Sequence, residues 1–335
     1  MTPLLTLPRA KALLVTLTLA TLAACNGNTV APIPGTAVAK GTMTEFAGGS
    51  APISITLGPD SSLWFTESGS NKVGRMTTLG VLTNEFPVIT PSAGLFGIVT
   101  GLDGNLWVTE GSASKIARLT PAGAVTEFTV PTANAAPFSI ALGADGALWF
   151  TEFNINATAK IGRVTTAGAF TEFTIPTAGA TPEGITAGPD GALWFTEANG
   201  VKIGRITTAG VITEFSTGLT SAPRFITQGL DGALWFTEAV GKIGRITTSG
   251  SITEFSAGIS TGASPFIIAP GPDGALWFTE PGVSKIGRIS LGGAVSEIST
   301  PTASSSPFGI VAGPDCAMWF AENATNQIGR VVACP

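Results

Sequence analysis

The chain has no histidine and no tyrosine among its 335 residues, and charged residues make up only 12% of it. Imidazole and phenol chemistry are therefore excluded, and with them a histidine general base and the mixed histidine sites that hold zinc or iron. Helical periodicity of useful length is also missing beyond residue 24, which excludes a helical bundle. The N-terminal apolar run Ala12–Ala24 falls short of the ~20 residues that a membrane-spanning helix requires. Lysine and arginine total 17 against 22 acidic residues, and without residues 1–24 the balance is 15 against 22, a net charge of −7. An acidic chain of this kind excludes a polyanionic partner such as nucleic acid.

Glycine, tryptophan and repetition take the place of what is missing. There are 43 glycines, and Trp64, Trp107, Trp149, Trp194, Trp235, Trp277 and Trp319 each lead into Phe/Val-Thr/Ala-Glu at successive spacings of 43, 42, 45, 41, 42 and 42 residues. This is the period of a four-stranded propeller blade. Each unit reads as four short strands: a segment such as Pro182-Glu183-Gly184-Ile185-Thr186, the Leu-Trp-Phe-Thr-Glu strand after a Gly-Pro-Asp-Gly turn, then Lys-Ile-Gly-Arg and Thr-Glu-Phe. Runs of β-branched and aromatic residues punctuated by Gly, Pro and Asp favour strands throughout. The expected fold is all-β, a seven-bladed β-propeller of four-stranded blades.

The chain ends show how the ring closes. Thr-Glu-Phe-like segments centre on Glu45, Glu85, Glu127, Glu172, Glu214, Glu254 and Glu297, so the first precedes the first tryptophan and none follows the last. Seven complete blades then require the N-terminal strand around Thr44–Phe46 to complete the last blade, leaving no sheet edge unpaired. Cys316 replaces the final glycine of a Gly-Pro-Asp-Gly turn, and Cys334 ends the strand that runs back beside it. A disulfide between them is expected to contribute about 3 kcal/mol in the loop-entropy model.

Arg9 and Lys11, the apolar run and Leu22-Ala23-Ala24-Cys25 have the form of a bacterial lipoprotein signal peptide with Cys25 as the lipidated residue. The expected organisation is a leader over 1–24, a lipidated cysteine and flexible tether over 25–41, and the propeller over 42–335. Export to the cell envelope suits a disulfide. The expected state is a monomer held to the membrane through its lipid anchor.

Subtracting the repeat isolates a site. Of the 22 acidic residues all but Glu183 fall into three sevenfold sets, the turn aspartates (Asp60 through Asp315), the Trp-strand glutamates (Glu67 through Glu322) and the Thr-Glu-Phe glutamates. Beyond the tether the basic residues fall likewise into the Lys-Ile-Gly-Arg sets, Arg224 excepted. Charges repeated around the ring serve the fold, with glutamates and arginines expected to pair within or between blades. Glu183 and Arg224 instead follow the prolines that open the first strands of consecutive blades, where the other blades carry Ile53, Phe96, Phe138, Phe266 and Phe308. First strands line a propeller's channel, so these seven residues are the candidate ligand-binding set and Glu183 and Arg224 the candidate catalytic pair. An apolar mouth crossed by one carboxylate and one guanidinium suits an amphiphilic or aromatic ligand. Phenylalanines plugging the channel beside a structural ion pair form the competing arrangement.

The phrases Gly-Pro-Asp-Gly-Ala-Leu-Trp-Phe-Thr-Glu at 188–197, Lys-Ile-Gly-Arg-Ile-Thr-Thr at 202–208 and Ile-Thr-Glu-Phe at 212–215 closely resemble the virginiamycin B lyase, or streptogramin lyase, family. The resemblance covers residues 43 to about 331. It implies a seven-bladed propeller and an enzyme that opens a cyclic depsipeptide by elimination across its ester, with Mg²⁺ as a possible cofactor. The histidines on which that chemistry depends correspond to Phe266 and Phe308, a glutamate to Ser306, and a further acidic position to Glu322 or Asn323. The catalytic set does not carry over. Glu183 is the distinctive base that remains, and an adjacent Arg224 is expected to lower its pKa. The leading expectation is a propeller that binds a small ligand or an envelope partner at its mouth. A carbon–oxygen lyase with a rebuilt active site and a structural or interaction protein of the envelope are the alternatives.

Overall fold

The computed structural model describes residues 39–153 and 158–334; the leader, Cys25 and the tether up to residue 38 lie outside them. Within the described residues twenty-eight strands, β1 to β28 in chain order, form seven four-stranded antiparallel sheets. The first blade comprises β2 (Pro52–Leu57), β3 (Leu63–Glu67), β4 (Lys72–Met76) and β5 (Leu82–Pro87). The same order recurs in β6–β9 (95–129), β10–β13 (137–174), β14–β17 (182–215), β18–β21 (223–255) and β22–β25 (268–299). The last blade comprises β26 (Pro307–Ala312), β27 (Ala317–Glu322) and β28 (Gln327–Val332), with β1 (Met43–Ala47) as its outer strand. Each inner strand packs against the next, and β26 against β2, so the ring is closed.

Register divides the blades into two faces. Pro52, Glu67, Lys72 and Pro87 stand side by side across the first blade, which puts the openings of the inner strands, here called the mouth, on one face. The Asp60 turn and the 77–81 hairpin lie on the opposite face, beside the pairs Leu57↔Leu63 and Leu63↔Met76.

Each second strand is buried on both sides, and all seven tryptophans are completely buried. A tryptophan in such a place needs a partner for its indole N–H. The turn aspartate accepts it: Trp64 Nε1 donates to Asp60 Oδ1 at 3.0 Å while Arg75 Nε donates to Asp60 Oδ2 at 2.7 Å, with the guanidinium carbon 5.7 Å from the Trp64 ring centroid. The latch recurs in Asp145-Trp149-Arg163, Asp231-Trp235-Arg245 and Asp315-Trp319-Arg330. On the other side of the arginine strand a glycine leaves room for a ring: a Cβ on Gly244 would stand 2.0 Å from Phe236.

The charge pairing differs from the sequence expectation. Arginines pair with the turn aspartates, and lysines, not arginines, pair with the Thr-Glu-Phe glutamates, as in Lys202 with Glu214 at 2.7 Å. The same glutamates clasp the linker that leads into their own blade, Glu214 accepting from the Thr177 N–H and hydroxyl. Glu45 does this for Thr302 across 257 residues, which ties β1 into the last blade.

Neighbouring blades are joined at the hub by the threonine of the Trp strand. Thr151 Oγ1 accepts from the Ser139 N–H of its own inner strand at 3.0 Å and donates to the Glu183 carbonyl of the next blade at 2.9 Å. Six blades carry both halves of this bridge; the last has Ala321 in that place. The closing junction relies on β1 pairing with β28, on Asn326 accepting from the Ala51 N–H at 2.8 Å, and on the Cys316–Cys334 disulfide with its Cα atoms 5.6 Å apart. Cys316 keeps the left-handed backbone of the turn it occupies, φ 57°, where Gly146 has φ 76°.

Candidate functional site

Six inner strands begin with one residue and then a bulge, the first residue being a proline in all but β6, which opens with Leu95: in β14 the pairing jumps from Pro182↔Glu197 to Ile185↔Phe195, and the corresponding jump occurs in β2, β6, β10, β18 and β26. A bulge re-aims the side chains around it. The residue after the proline and the one following it both reach the hub. A glycine in the latter place lets adjacent strands approach, since a Cβ on Gly184 would lie 2.7 Å from the Phe225 Cα.

Glu183 and Arg224, 41 residues apart in sequence, meet here: Arg224 Nε donates to Glu183 Oε2 at 3.2 Å. Their backbone is pinned from behind, because the Glu183 carbonyl accepts from Thr151 and the Arg224 carbonyl from Thr196. The guanidinium lies over the Phe266 ring, 4.4 Å from its centroid. Arg224 remains the more accessible partner, its side chain 28% exposed against 12% for Glu183. Burial pushes the Glu183 carboxyl above its ordinary range, and Arg224 offsets this only in part. Arg224 lowers this pKa as expected, but the net shift is upward, because the desolvation of the carboxylate outweighs one guanidinium that is itself partly exposed.

The phenylalanines form a floor. Phe96 stacks on Phe138 with centroids 3.8 Å apart, and Phe308 meets Phe266 edge-on at 4.9 Å. Phe225 links the two groups, 4.7 Å from Phe266 and 6.0 Å from Phe96. These contacts cross the hub, from the second blade to the fifth and sixth. Ile53 completes the ring of positions in the first blade. Sequence reasoning missed Phe225; the available signal was that its position holds glycine or serine in five of the seven blades. Beneath the rings lies a cavity of about 150 Å³ whose wall includes a collar of isoleucines, at least one from each blade, among them Ile55, Ile185 and Ile310.

Just outside the hub on the mouth side stand the Trp-strand glutamates, all buried. Burial raises Glu110, Glu152 and Glu280 to about 8 and Glu197, Glu238 and Glu322 to about 7. A neighbouring Thr-Glu-Phe glutamate adds to the shift, Glu127 beside Glu110 and Glu172 beside Glu152. Glu322, one of the positions implied by the resemblance, belongs to this repeated set. Asn323 donates to the Pro52 carbonyl at 3.3 Å, and Ser306 has φ 52° and accepts from the Asn323 N–H.

A divalent cation is poorly served at the hub. Glu183 is the one carboxylate among the seven mouth residues and is engaged by Arg224. Among the described residues no three carboxylate or thiol side chains are grouped to hold a metal ion. The residues present do not fit Mg²⁺.

Comparison with known proteins agrees with the repeat wording and the ring. Residues 26–222 and 217–334 match the Virginiamycin B lyase family. The chain belongs to that family. The virginiamycin B lyase of Staphylococcus aureus superposes with a TM-score of 0.81 at 40% identity, covering 87% of this chain and 99% of the other. A streptogramin B lyase gives a TM-score of 0.81 at 38% identity, with 87% and 97% covered. A catalytically inactive histidine-to-alanine variant of the S. aureus lyase, with quinupristin, also gives 0.81 at 38% identity, with 87% and 99% covered. No curated protein matches the chain by sequence. Within this family the present member has phenylalanine at the two hub positions that the resemblance assigns to histidine, and no histidine elsewhere.

Proposed function

We propose that this protein is an exported, lipid-anchored member of the virginiamycin B lyase family that binds a small amphiphilic ligand with an aromatic portion at the mouth of its channel. The observation that carries this reading is the Glu183–Arg224 pair beside the phenylalanine floor, at positions where the other five blades place no charge. Aromatic faces supply affinity through stacking, and the partly exposed guanidinium supplies a directed donor for a carbonyl or carboxylate. The absence of histidine supports binding over the inherited chemistry, because a histidine substitution leaves the S. aureus relative inactive.

Quinupristin is the probe. It is expected to raise the melting temperature of the wild-type protein and to leave Arg224→Ala unshifted, while the free variant melts within about 2 °C of wild type, because Glu183, its pKa already raised by burial, takes up a proton once its partner is gone. A large intrinsic loss in Arg224→Ala, or no wild-type stabilisation, would overturn the reading for this ligand class.

One observation favours a second reading, a lyase with a rebuilt site. The raised Glu183 carboxyl is closer to the pKa of a useful base than an ordinary glutamate. As carboxylate it would first take the proton beside the substrate carbonyl, and the resulting enolate would then expel the ester oxygen, leaving a carbon–carbon double bond and a free carboxylate. Arg224 would stabilise the intervening enolate oxygen. Under this reading the protein linearises quinupristin without incorporating solvent oxygen, and Glu183→Gln abolishes turnover. No turnover at stoichiometric enzyme, with Mg²⁺ supplied, removes it.

A further inference from the structure

Of the eight large apolar side chains that stand exposed among the described residues, six lie on the face opposite the mouth: Leu79, Val81, Leu102, Val211, Leu230 and Leu291. Leu79, at 83% exposure, and Val81 tip the β4–β5 hairpin; Val211 and Leu291 tip the equivalent hairpins of two other blades. Leu102 and Leu230 occupy the turn position that is proline or alanine in the remaining blades. Ile89 and Val240 are the two on the mouth side.

Charge is divided in the same sense. The face opposite the mouth holds the seven turn aspartates, the seven arginines of the third strands and Lys40, a formal charge of +1. Five of those aspartates are shown bonded to their blade's arginine through Nε at 2.6–2.7 Å, as in Arg245 with Asp231, and Arg75 binds Asp60 likewise. Asp103 takes donors from Asn105 and Trp107 instead. All other charges of the propeller belong to the mouth side, 15 glutamates against six lysines and Arg224, a formal −8.

The chain also leaves from this face. Met43 pairs with Val331 at the far end of β28, the Gly41 N–H donates to the Val332 carbonyl, and Lys40 Nζ is fixed to Asp273 of a turn at 2.9 Å. Cys25 lies 14 residues before Ala39, a reach of at most about 50 Å.

We infer that the face opposite the mouth rests on the bilayer that holds the acyl chains of Cys25, with its apolar turn tips in the headgroup layer and the mouth directed away from the membrane. The inference rests on the lipid-anchor reading. Two weak interactions supplement the acyl chains: burial of leucine and valine tips in the interface, and a charge asymmetry that keeps the acidic mouth away from anionic headgroups. An orientation of this kind leaves the phenylalanine floor open to ligands arriving from the aqueous side.

The test uses two labels at opposite ends of one strand, β19 (Leu234–Glu238). Leu230→Cys and Val240→Cys, each in the full chain expressed and processed by its host, carry an environment-sensitive fluorophore and are mixed with vesicles of phosphatidylethanolamine and phosphatidylglycerol containing brominated lipid. The label at position 230 is expected to be quenched at least fivefold more than that at 240, and the added substitutions Leu79→Asp and Leu102→Asp to abolish the difference. Equal quenching, or stronger quenching at 240, overturns the inference. The mass of the N-terminal peptide decides the anchor separately. An acylated Cys25 with equal quenching sinks the orientation alone, whereas an unmodified Cys25 with preferential quenching at 230 sinks the anchor and keeps the docking face.

Discussion

The bodies of the blades and the hub are built from the same repeat under opposite rules. In the bodies an aspartate, a tryptophan and an arginine recur with contacts that vary by a few tenths of an ångström, because every blade must solve the same problem of burying an indole next to a turn. At the hub, seven equivalent positions hold one isoleucine, four phenylalanines, a glutamate and an arginine. Uniformity marks what the fold needs from each blade. Variation at a place where the backbone is held by the same threonine bridges marks what the fold does not dictate, and Glu183 and Arg224 are its extreme case.

The broadest way to stress this contrast is pH, since six carboxyls in the blades titrate together. The folded pKa values of Glu197, Glu238 and Glu322, about 7, and of Glu110, Glu152 and Glu280, about 8, lie above the ordinary glutamate value. A raised folded pKa means that the native state holds the proton more tightly, so the associated stability is full in acid and lost as pH rises through the folded value. Glu127, Glu172, Glu214, Glu254 and Glu297 are lowered, burial being outweighed by their lysine and hydroxyl donors, and their contribution is lost instead on acidification. The melting temperature is expected to fall from about pH 5, just above the ordinary glutamate value, to about pH 8, where the last of these carboxyls has ionised in the folded protein. Glu110→Gln, Glu152→Gln and Glu280→Gln together should flatten the upper part of that fall, and a flat wild-type profile would contradict it.

The closing blade offers a narrower test. Reduction of the disulfide, or Cys316→Ser with Cys334→Ser, is expected to cost about 3 kcal/mol in denaturant unfolding. Quinupristin binding should survive under native conditions, because the bridge lies on the face opposite the mouth. Loss of binding in the folded variant would mean that hub and closure are not separable.

The smallest expected effect sits where hub and blade meet. Thr196→Val removes the hydroxyl that accepts from the Gly184 N–H and donates to the Arg224 carbonyl, at a cost of about 1–3 kcal/mol for buried groups left unpaired. If Arg224 is a ligand donor, affinity for quinupristin should drop as well, whereas the equivalent Thr66→Val, which bridges to Phe96, should lose similar stability with less effect on binding.

The ring was legible because each blade repeats its tryptophan, its turn and its glutamate, and even the split of the last blade could be counted from the Thr-Glu-Phe segments. The positions of Glu183 and Arg224 were legible for the same reason, as departures from the count. Phe225 was not, because a strand with strict alternation would turn it away from the residue before it, and the bulge after Pro223 suspends that rule. The charge pairing was misjudged through reach. The arginine stands near the end of its strand beside Trp and its turn aspartate, and the lysine three residues nearer the mouth is the cation that meets the outer glutamate. The raised pKa of Glu183 was hidden because sequence names its cationic neighbour and gives no measure of the protein packed around it.

The pairing of β1 with β28 sets an order of events in the life of the chain. The first strand to be synthesised finds its partner only when the last has emerged, so six blades can assemble in sequence while the seventh stays incomplete. During that interval β28 has no neighbour on its outer side and β1 has none at all, two unsatisfied backbone edges on one molecule. Final assembly is therefore a long-range search, fastened at its end by the bond between Cys316 and Cys334.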